Sequence, residues 1–137
     1  MTRLEGWARD RLERPRTFAT LATINPDGSP LQAVLWYALR GDAIVVNSRT
    51  GRRWPENLLR DPRFSFMVED DYDWVSLRGE AEALTDPAAT QADIAAMARH
   101  YHEPERAERM IREQFAREER ISFLLHARAV ATHRDDR

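Results

Sequence analysis

The sequence contains neither cysteine nor lysine, and each absence excludes a class of chemistry. Without cysteine there is no disulfide framework, no cysteine-ligated iron–sulfur cluster and no thiol nucleophile, a composition typical of the reducing cytoplasm. Without lysine there is no Schiff base and no lysine ligand for phosphate. Any bound anion must therefore be held by arginine, by hydroxyl groups or by backbone N–H groups.

The chain also has few glycines, no long apolar run and a formal net charge close to zero. The chain has only five glycines and no Gly-x-Gly-x-x-Gly motif, so a classic dinucleotide-binding domain is not expected. No apolar run approaches membrane-spanning length, and no signal peptide is visible. The formal net charge is −2, whereas nucleic-acid binders normally have a strong basic excess. We therefore expect a cytoplasmic protein that binds neither nucleic acid nor membranes.

The length of 137 residues predicts a single domain spanning residues 1–137. Six segments are predicted to be β-strands, because they are rich in β-branched and aromatic residues or alternate between apolar and polar residues: 17–24, 31–39, 43–47, 64–68, 74–84 and 121–132. Helices are expected over 3–13 and 52–61, after Asp86-Pro87 and from Pro104. This pattern predicts a mainly β fold with added helices (α+β), built on a six-stranded antiparallel barrel.

The stretch from 43 to 63 combines a strand end, a glycine turn and the start of a helix. Hydroxyl side chains, arginine forks and unpaired helix N–H groups there favour an anion. The alternative interpretation is a solvated basic turn between a strand and a helix. We name as the phosphate cup Asn47, Ser48, Arg49, Thr50, Arg52 and Arg53.

Two strands offer further candidate contacts. Gln32, Val34 and Trp36 alternate on one face of the second strand and could line a planar ring, although ordinary barrel packing is the alternative. Trp74 and Arg78 share a face of the strand over 74–84, which we expect to be solvated or functional.

Histidine and serine give no independent signal for a catalytic or metal site. The spacing of His100 and His102 does not place both side chains on one helical face, and no third ligand accompanies them. No Gly-x-Ser-x-Gly nucleophile motif is present. We therefore predict no metal site and no hydrolase chemistry.

Several motifs together resemble one known family. They are the runs over 18–30, 46–63 and 75–81 and the Trp36-Tyr37 pair. These runs are similar to those of the pyridoxamine 5′-phosphate oxidase-like flavin and deazaflavin oxidoreductases. The Gly-Arg-Arg-Trp-Pro-Glu-Asn-Leu run over 51–58 resembles, more narrowly, the branch that depends on coenzyme F420.

The resemblance implies a six-stranded split β-barrel of the FMN-binding type and a homodimer with the cofactor between its subunits. It further implies that the phosphate cup holds the cofactor phosphate and that Gln32, Val34 and Trp36 line the ring. Asn57 is expected at the edge of the ring, and Trp74 and Arg78 are expected to come from the partner subunit. Trp54 stands where many members have a lysine or arginine, and it either covers the ring or packs beneath the helix.

The implied function is hydride transfer from reduced coenzyme F420 to an unsaturated or quinone-like small molecule, with no essential side-chain nucleophile. Tyr37, His133 and water are the candidate proton donors. Two alternatives remain open: an FMN-dependent oxidase or reductase on the same barrel, and a non-catalytic carrier of F420 or flavin.

Overall fold

The computed structural model describes residues 2–135, which form seven strands, four α-helices and a short 3-10 turn at Phe115–Arg117. In chain order the elements are α1 (Gly6–Leu12), β1 (Ala19–Ile24), β2 (Pro30–Leu35), β3 (Ala38–Arg40), β4 (Ala43–Arg49), α2 (Arg53–Arg60), β5 (Arg63–Asp70), β6 (Asp73–Leu84), α3 (Pro87–Tyr101), α4 (Pro104–Glu113) and β7 (Arg120–His133). None of the helices among residues 2–135 is long and apolar enough to cross a membrane.

The strands form one antiparallel sheet in the order β2-β1-β5-β6-β7-β4-β3. The two edge strands, β2 and β3, are consecutive in the chain and are separated only by Trp36 and Tyr37. Three peptide steps from Leu35 to Ala38 span at most about 11 Å, so the two edges must approach each other there. The sheet is therefore rolled into an open, split barrel, which confirms the predicted fold class.

The predicted number of strands is wrong, because the expected second strand over 31–39 is broken at Trp36-Tyr37. The backbone N–H of Tyr37 donates to the hydroxyl of Tyr101 at 3.2 Å instead of joining a strand ladder. The Tyr101 hydroxyl itself donates to the carbonyl of Thr17 at 2.6 Å. A side chain from α3 thus replaces strand pairing at this point, and the sheet has seven strands and is not closed.

Two hydrophobic cores lie on opposite sides of β4 and β7. The barrel interior contains Leu21, Phe66 and Phe123, and the apolar sides of α1 and α2 pack into it. On the other side, Val45 of β4 packs with Met97 of α3 and Ala107 of α4. Asp86 caps α3 by accepting a hydrogen bond from the Ala89 N–H at 3.1 Å, at the predicted helix start.

The outer face of β2, β1, β5 and β6 is much less covered than that of β4 and β7. Val34 and Met67 project from it with 72% and 37% of their surface exposed. A bulge between Arg78 and Gly79 ends the regular part of this face on β6. Gly79 is required there because a Cβ atom would lie 1.9 Å from the carbonyl oxygen of His126.

Candidate functional site

The split in the barrel opens into a cleft beside β4. Strand β3 pairs only with Ala43–Val45, so within residues 2–135 the rest of β4 has a strand partner only in β7. A cleft of about 240 Å³ lies between this part of β4, the end of β2 and α3. Six of the predicted site residues line it: Val34, Trp36, Asn47, Ser48, Arg52 and Trp54.

One wall of the cleft is aromatic. The indole of Trp36 stacks on Tyr101, with ring centroids 5.2 Å apart and planes 11° from parallel. Phe115 meets Trp36 edge-on at 6.3 Å, and Phe18 lies 5.5 Å from Tyr101. The sequence analysis did not single out Phe18 or Phe115, since the pairing of Phe115 with Trp36 comes from the docking of α3 and α4. This wall could stack against a planar ring.

The part of the cleft formed by the end of β4 and the start of α2 is cationic. Gly51, at φ +89°, turns the chain from β4 into α2, and Arg52 at the N-cap position makes no side-chain cap. In the described part of the chain, Arg49, Arg52 and Arg53 have no carboxylate within 4.0 Å. Uncapped helix N–H groups and unpaired guanidinium groups together favour an anion. The backbone N–H of Thr50 is not available to an anion, because it donates to the Glu119 carbonyl at 2.9 Å.

Arg120, at the start of β7, is a cleft residue that the sequence analysis missed. Its Nε donates to Asn47 Oδ1 at 3.0 Å, and its guanidinium pairs with Glu118 at 2.7 Å. Burial lowers the pKa of Arg120, Glu118 raises it, and the positive charges of Arg52 and Arg49 lower it further. No local pattern marks this arginine among the 21 basic residues of the chain.

Asn47 belongs to a buried polar network rather than presenting a free amide. Its Nδ2 donates to the Thr90 carbonyl at 3.0 Å and to Ser122 Oγ at 2.9 Å. The Ser122 hydroxyl donates to Asp93 at 2.8 Å, and Asp93 pairs with Arg40 at 2.6 Å. The amide of Asn47 therefore fixes the side chain of Arg120 within the cleft.

Two of the predicted residues on α2 make structural contacts. Asn57, only 2% exposed, donates to Thr23 Oγ1 at 3.1 Å and to Asn25 Oδ1 at 3.0 Å. Its own oxygen accepts from Arg60 at 3.2 Å. Trp54 packs beneath the helix, 5.9 Å from Phe123 in the barrel core, and it also lines the cleft, so both of its expected positions remain open.

Three predicted residues lie on the outer face of the sheet, away from the cleft of their own chain. The strand register places Gln32 and Arg78 in one row, with Ala22 and Ser65 between them. Trp74 lies further along β6 and stacks on His133 with centroids 5.8 Å apart. Any contact of these side chains with a ligand in the cleft would require a second copy of the chain.

Tyr37 is directed into the protein and not towards a ligand. Its hydroxyl donates to the Leu12 carbonyl at 2.6 Å, and the residue is 5% exposed. Burial raises the pKa of Tyr37, and the neighbouring Tyr101 raises it further. Its phenol is therefore committed to a structural hydrogen bond.

Comparisons with known proteins agree on the fold. The family model described as pyridoxamine 5′-phosphate oxidase matches residues 7–133. The conserved hypothetical protein Rv2991 from Mycobacterium tuberculosis is 27% identical, with 96% of this chain and 89% of that chain covered and a TM-score of 0.76.

Two other solved structures share the fold at lower identity. One described as an F420 reductase is 24% identical over 93% of this chain and 97% of its own, with a TM-score of 0.72. The heme storage protein HutZ from Vibrio cholerae is 21% identical over 95% and 94% of the two chains, with a TM-score of 0.67. A comparison with proteins of curated function finds no match.

The contacts of Asn57 predict that its replacement lowers stability. Asn57→Ala leaves the buried Thr23 hydroxyl and the Asn25 side chain without their donor, so we expect a loss of about 2 kcal/mol in the free energy of unfolding. Urea denaturation of the two proteins measures it. Arg53→Ala, on the same helix but exposed and without an ion pair among residues 2–135, is the matched control and should change stability by less than about 0.5 kcal/mol. Equal stability of Asn57→Ala and the wild type would contradict the structural role.

Proposed function

Because the chain belongs to the pyridoxamine 5′-phosphate oxidase family, we propose that it is a homodimeric oxidoreductase that transfers a hydride from reduced coenzyme F420 to an unsaturated or quinone-like small molecule. The observation that supports this best is the cleft, which combines an aromatic wall with a cationic end. The volume of the cleft, about 240 Å³, is smaller than the roughly 300–1,000 Å³ of typical ligand pockets, as expected for a site that a second subunit completes.

The unpaired arginines favour F420 over FMN. FMN ends at its phosphate, whereas F420 continues from the phosphate into an acidic oligoglutamate tail. Arg49 and Arg53 are exposed beside the cleft and free of ion pairs within residues 2–135, so they could contact such a tail. Arg63, at the start of β5, is instead engaged by Asp61 at 2.8 Å. The F420 reductase among the similar structures supports the same choice.

In this proposal the protein contributes binding, orientation and a dry pocket. When bound, reduced F420 supplies a hydride to an electron-poor carbon of the substrate. Trp36 and its aromatic neighbours orient the ring and exclude water, and Arg52 contributes to binding the phosphate. No side chain acts as a nucleophile. Since the Tyr37 hydroxyl is committed to Leu12, the proton comes from water or from His133, which is exposed on the outer face.

The outer face of the sheet is the surface we propose for dimerisation. One row across five strands has no charged side chain: Val34, Thr20, Met67, Ser76 and Ala131. Val34 belongs both to this row and to the lining of the cleft, so a second copy seated here lies against the cleft opening. The same contact presents the outer-face residues Gln32, Trp74 and Arg78 of each copy to the other. A twofold, self-complementary dimer follows this arrangement.

Binding measurements test the cofactor. We expect saturable binding of F420, followed by quenching of its fluorescence, and weaker binding of FMN. Arg52→Ala should weaken F420 binding about 10- to 100-fold, the effect of losing a charge-assisted hydrogen bond. Arg109→Ala, an exposed arginine on α4, is the control and should bind normally. Tight FMN binding without F420 binding would reject the choice of cofactor.

Turnover distinguishes an enzyme from a carrier. We expect the protein to oxidise reduced F420 with at least one member of a panel of enones, quinones and tetrapyrroles. Saturable cofactor binding without oxidation by any of them would indicate the carrier instead.

Charge on the outer face should prevent dimerisation. Met67→Glu places one carboxylate from each copy in the uncharged row of the contact, and we expect the dimer to weaken at least about tenfold in sedimentation velocity. Leu59→Glu is the matched control, because Leu59 is 52% exposed but lies on α2. A monomeric wild type, or an unaffected Met67→Glu dimer, would contradict the proposal.

Mixing two variants tests whether Arg78 acts in the partner's site. Arg52→Ala and Arg78→Ala should each bind F420 weakly as homodimers. If each site takes Arg52 from one chain and Arg78 from the other, equal mixing with subunit exchange restores normal affinity at about a quarter of all sites. Isothermal titration calorimetry measures that fraction. No restoration, or normal binding by Arg78→Ala alone, would exclude a role in the partner's site.

A further inference from the structure

The inference concerns Arg120, which comes from a strand far in sequence from the phosphate cup. We propose that Arg120 is the principal phosphate-binding residue of the cleft and that the buried chain of Asn47, Ser122 and Asp93 holds it in position. The identity of the ligand rests on the proposed function, but the chemical class, a phosphate group, rests on the geometry of Arg120 itself.

The guanidinium of Arg120 is held in place through two of its three nitrogens, and the third has no hydrogen-bond partner among residues 2–135. Its side chain is 6% exposed and lies 4.8 Å over the ring of Phe115. Asn47 and Glu118 engage Nε and NH1, whereas NH2 makes no hydrogen bond to any residue in the described part of the chain. Because the guanidinium is already held on two sides, the side chain loses little conformational entropy when its remaining N–H groups bind an oxyanion.

The charge around Arg120 is not balanced within the chain. Arg49 stands directly opposite Arg120 in the ladder of β4 and β7, and like charges in such cross-strand pairs destabilise a sheet. Arg52 adds a third positive charge close enough to affect the titration of Arg120, and Glu118 is the only carboxylate that pairs with Arg120 in residues 2–135. A phosphate group would offset this excess, with one negative charge as the diester of F420 and up to two as the monoester of FMN.

The buried chain determines which way Asn47 faces. Both amide N–H groups of Asn47 are used, by the Thr90 carbonyl and by Ser122. Only the amide oxygen therefore remains to face Arg120. Ser122 is completely buried and is held in turn by Asp93. Asn47, Ser122 and Asp93 are thus positioning residues, which act on the phosphate through Arg120.

The test uses the full chain and inorganic pyrophosphate, with binding followed by calorimetry. Arg120→Met keeps the length of the side chain and should weaken binding about 10- to 100-fold. Arg109→Met is the matched control and should bind as the wild type does. Glu118→Gln keeps a hydrogen-bond acceptor but removes the competing charge, so it should tighten binding several-fold. A misfolded protein would not gain affinity.

A pair of related ligands locates the effect. FMN and riboflavin differ by the phosphate alone, so Arg120→Met should weaken FMN binding and leave riboflavin binding unchanged. Equal pyrophosphate binding by Arg120→Met and the wild type would overturn the inference, as would unchanged or weaker binding by Glu118→Gln. If pyrophosphate binding depends on Arg120 but neither F420 nor FMN binds, the proposed function fails and this inference stands.

Discussion

The shape of the barrel and the position of the cleft both follow from the two-residue link between β2 and β3. Trp36 and Tyr37 connect the two edges of one sheet, so the sheet must curl until these edges nearly meet. Tyr101 holds the link in place, because its hydroxyl accepts from the Tyr37 N–H and donates to the Thr17 carbonyl. The short β3 then leaves the end of β4 without a second strand partner among residues 2–135, and the cleft opens at that end.

The same link divides the aromatic residues between two roles. Tyr37 turns into the barrel and donates to Leu12, whereas Trp36 turns outwards and stacks on Tyr101. Neighbouring residues of an extended chain point to opposite sides, so one pair of residues serves both cores. The wall of the cleft is therefore an extension of the packing between α3 and the sheet. A ring bound in the cleft would therefore contact side chains that also stabilise the packing of α3 on the sheet.

The arginines of this chain take several different roles, which differ in burial and in the carboxylates within reach. Arg40 and Arg63 are paired with carboxylates, whereas Arg49, Arg52 and Arg53 have no such partner in the described residues. Arg120 is buried with a single carboxylate, two neighbouring positive charges and an amide that is itself held in place. Positive charge is thus concentrated at one end of the cleft in a chain whose formal net charge is −2. This local excess, rather than the overall charge, is what a phosphate would encounter.

The local features could be predicted from the order of the residues, because each depends on residues close together in the chain: most of the strand segments, the Asp86 cap, the glycine turn before α2 and the family resemblance. Three features became visible only in the folded chain: the break at Trp36-Tyr37, the structural role of Asn57 and the presence of Arg120 in the cleft. These depend on contacts between distant positions, such as Tyr101 with Tyr37, 64 residues apart, and Arg120 with Asn47, 73 residues apart. Propensity and periodicity describe short stretches, and they carry no information about which distant side chain satisfies a given polar group once the sheet has rolled.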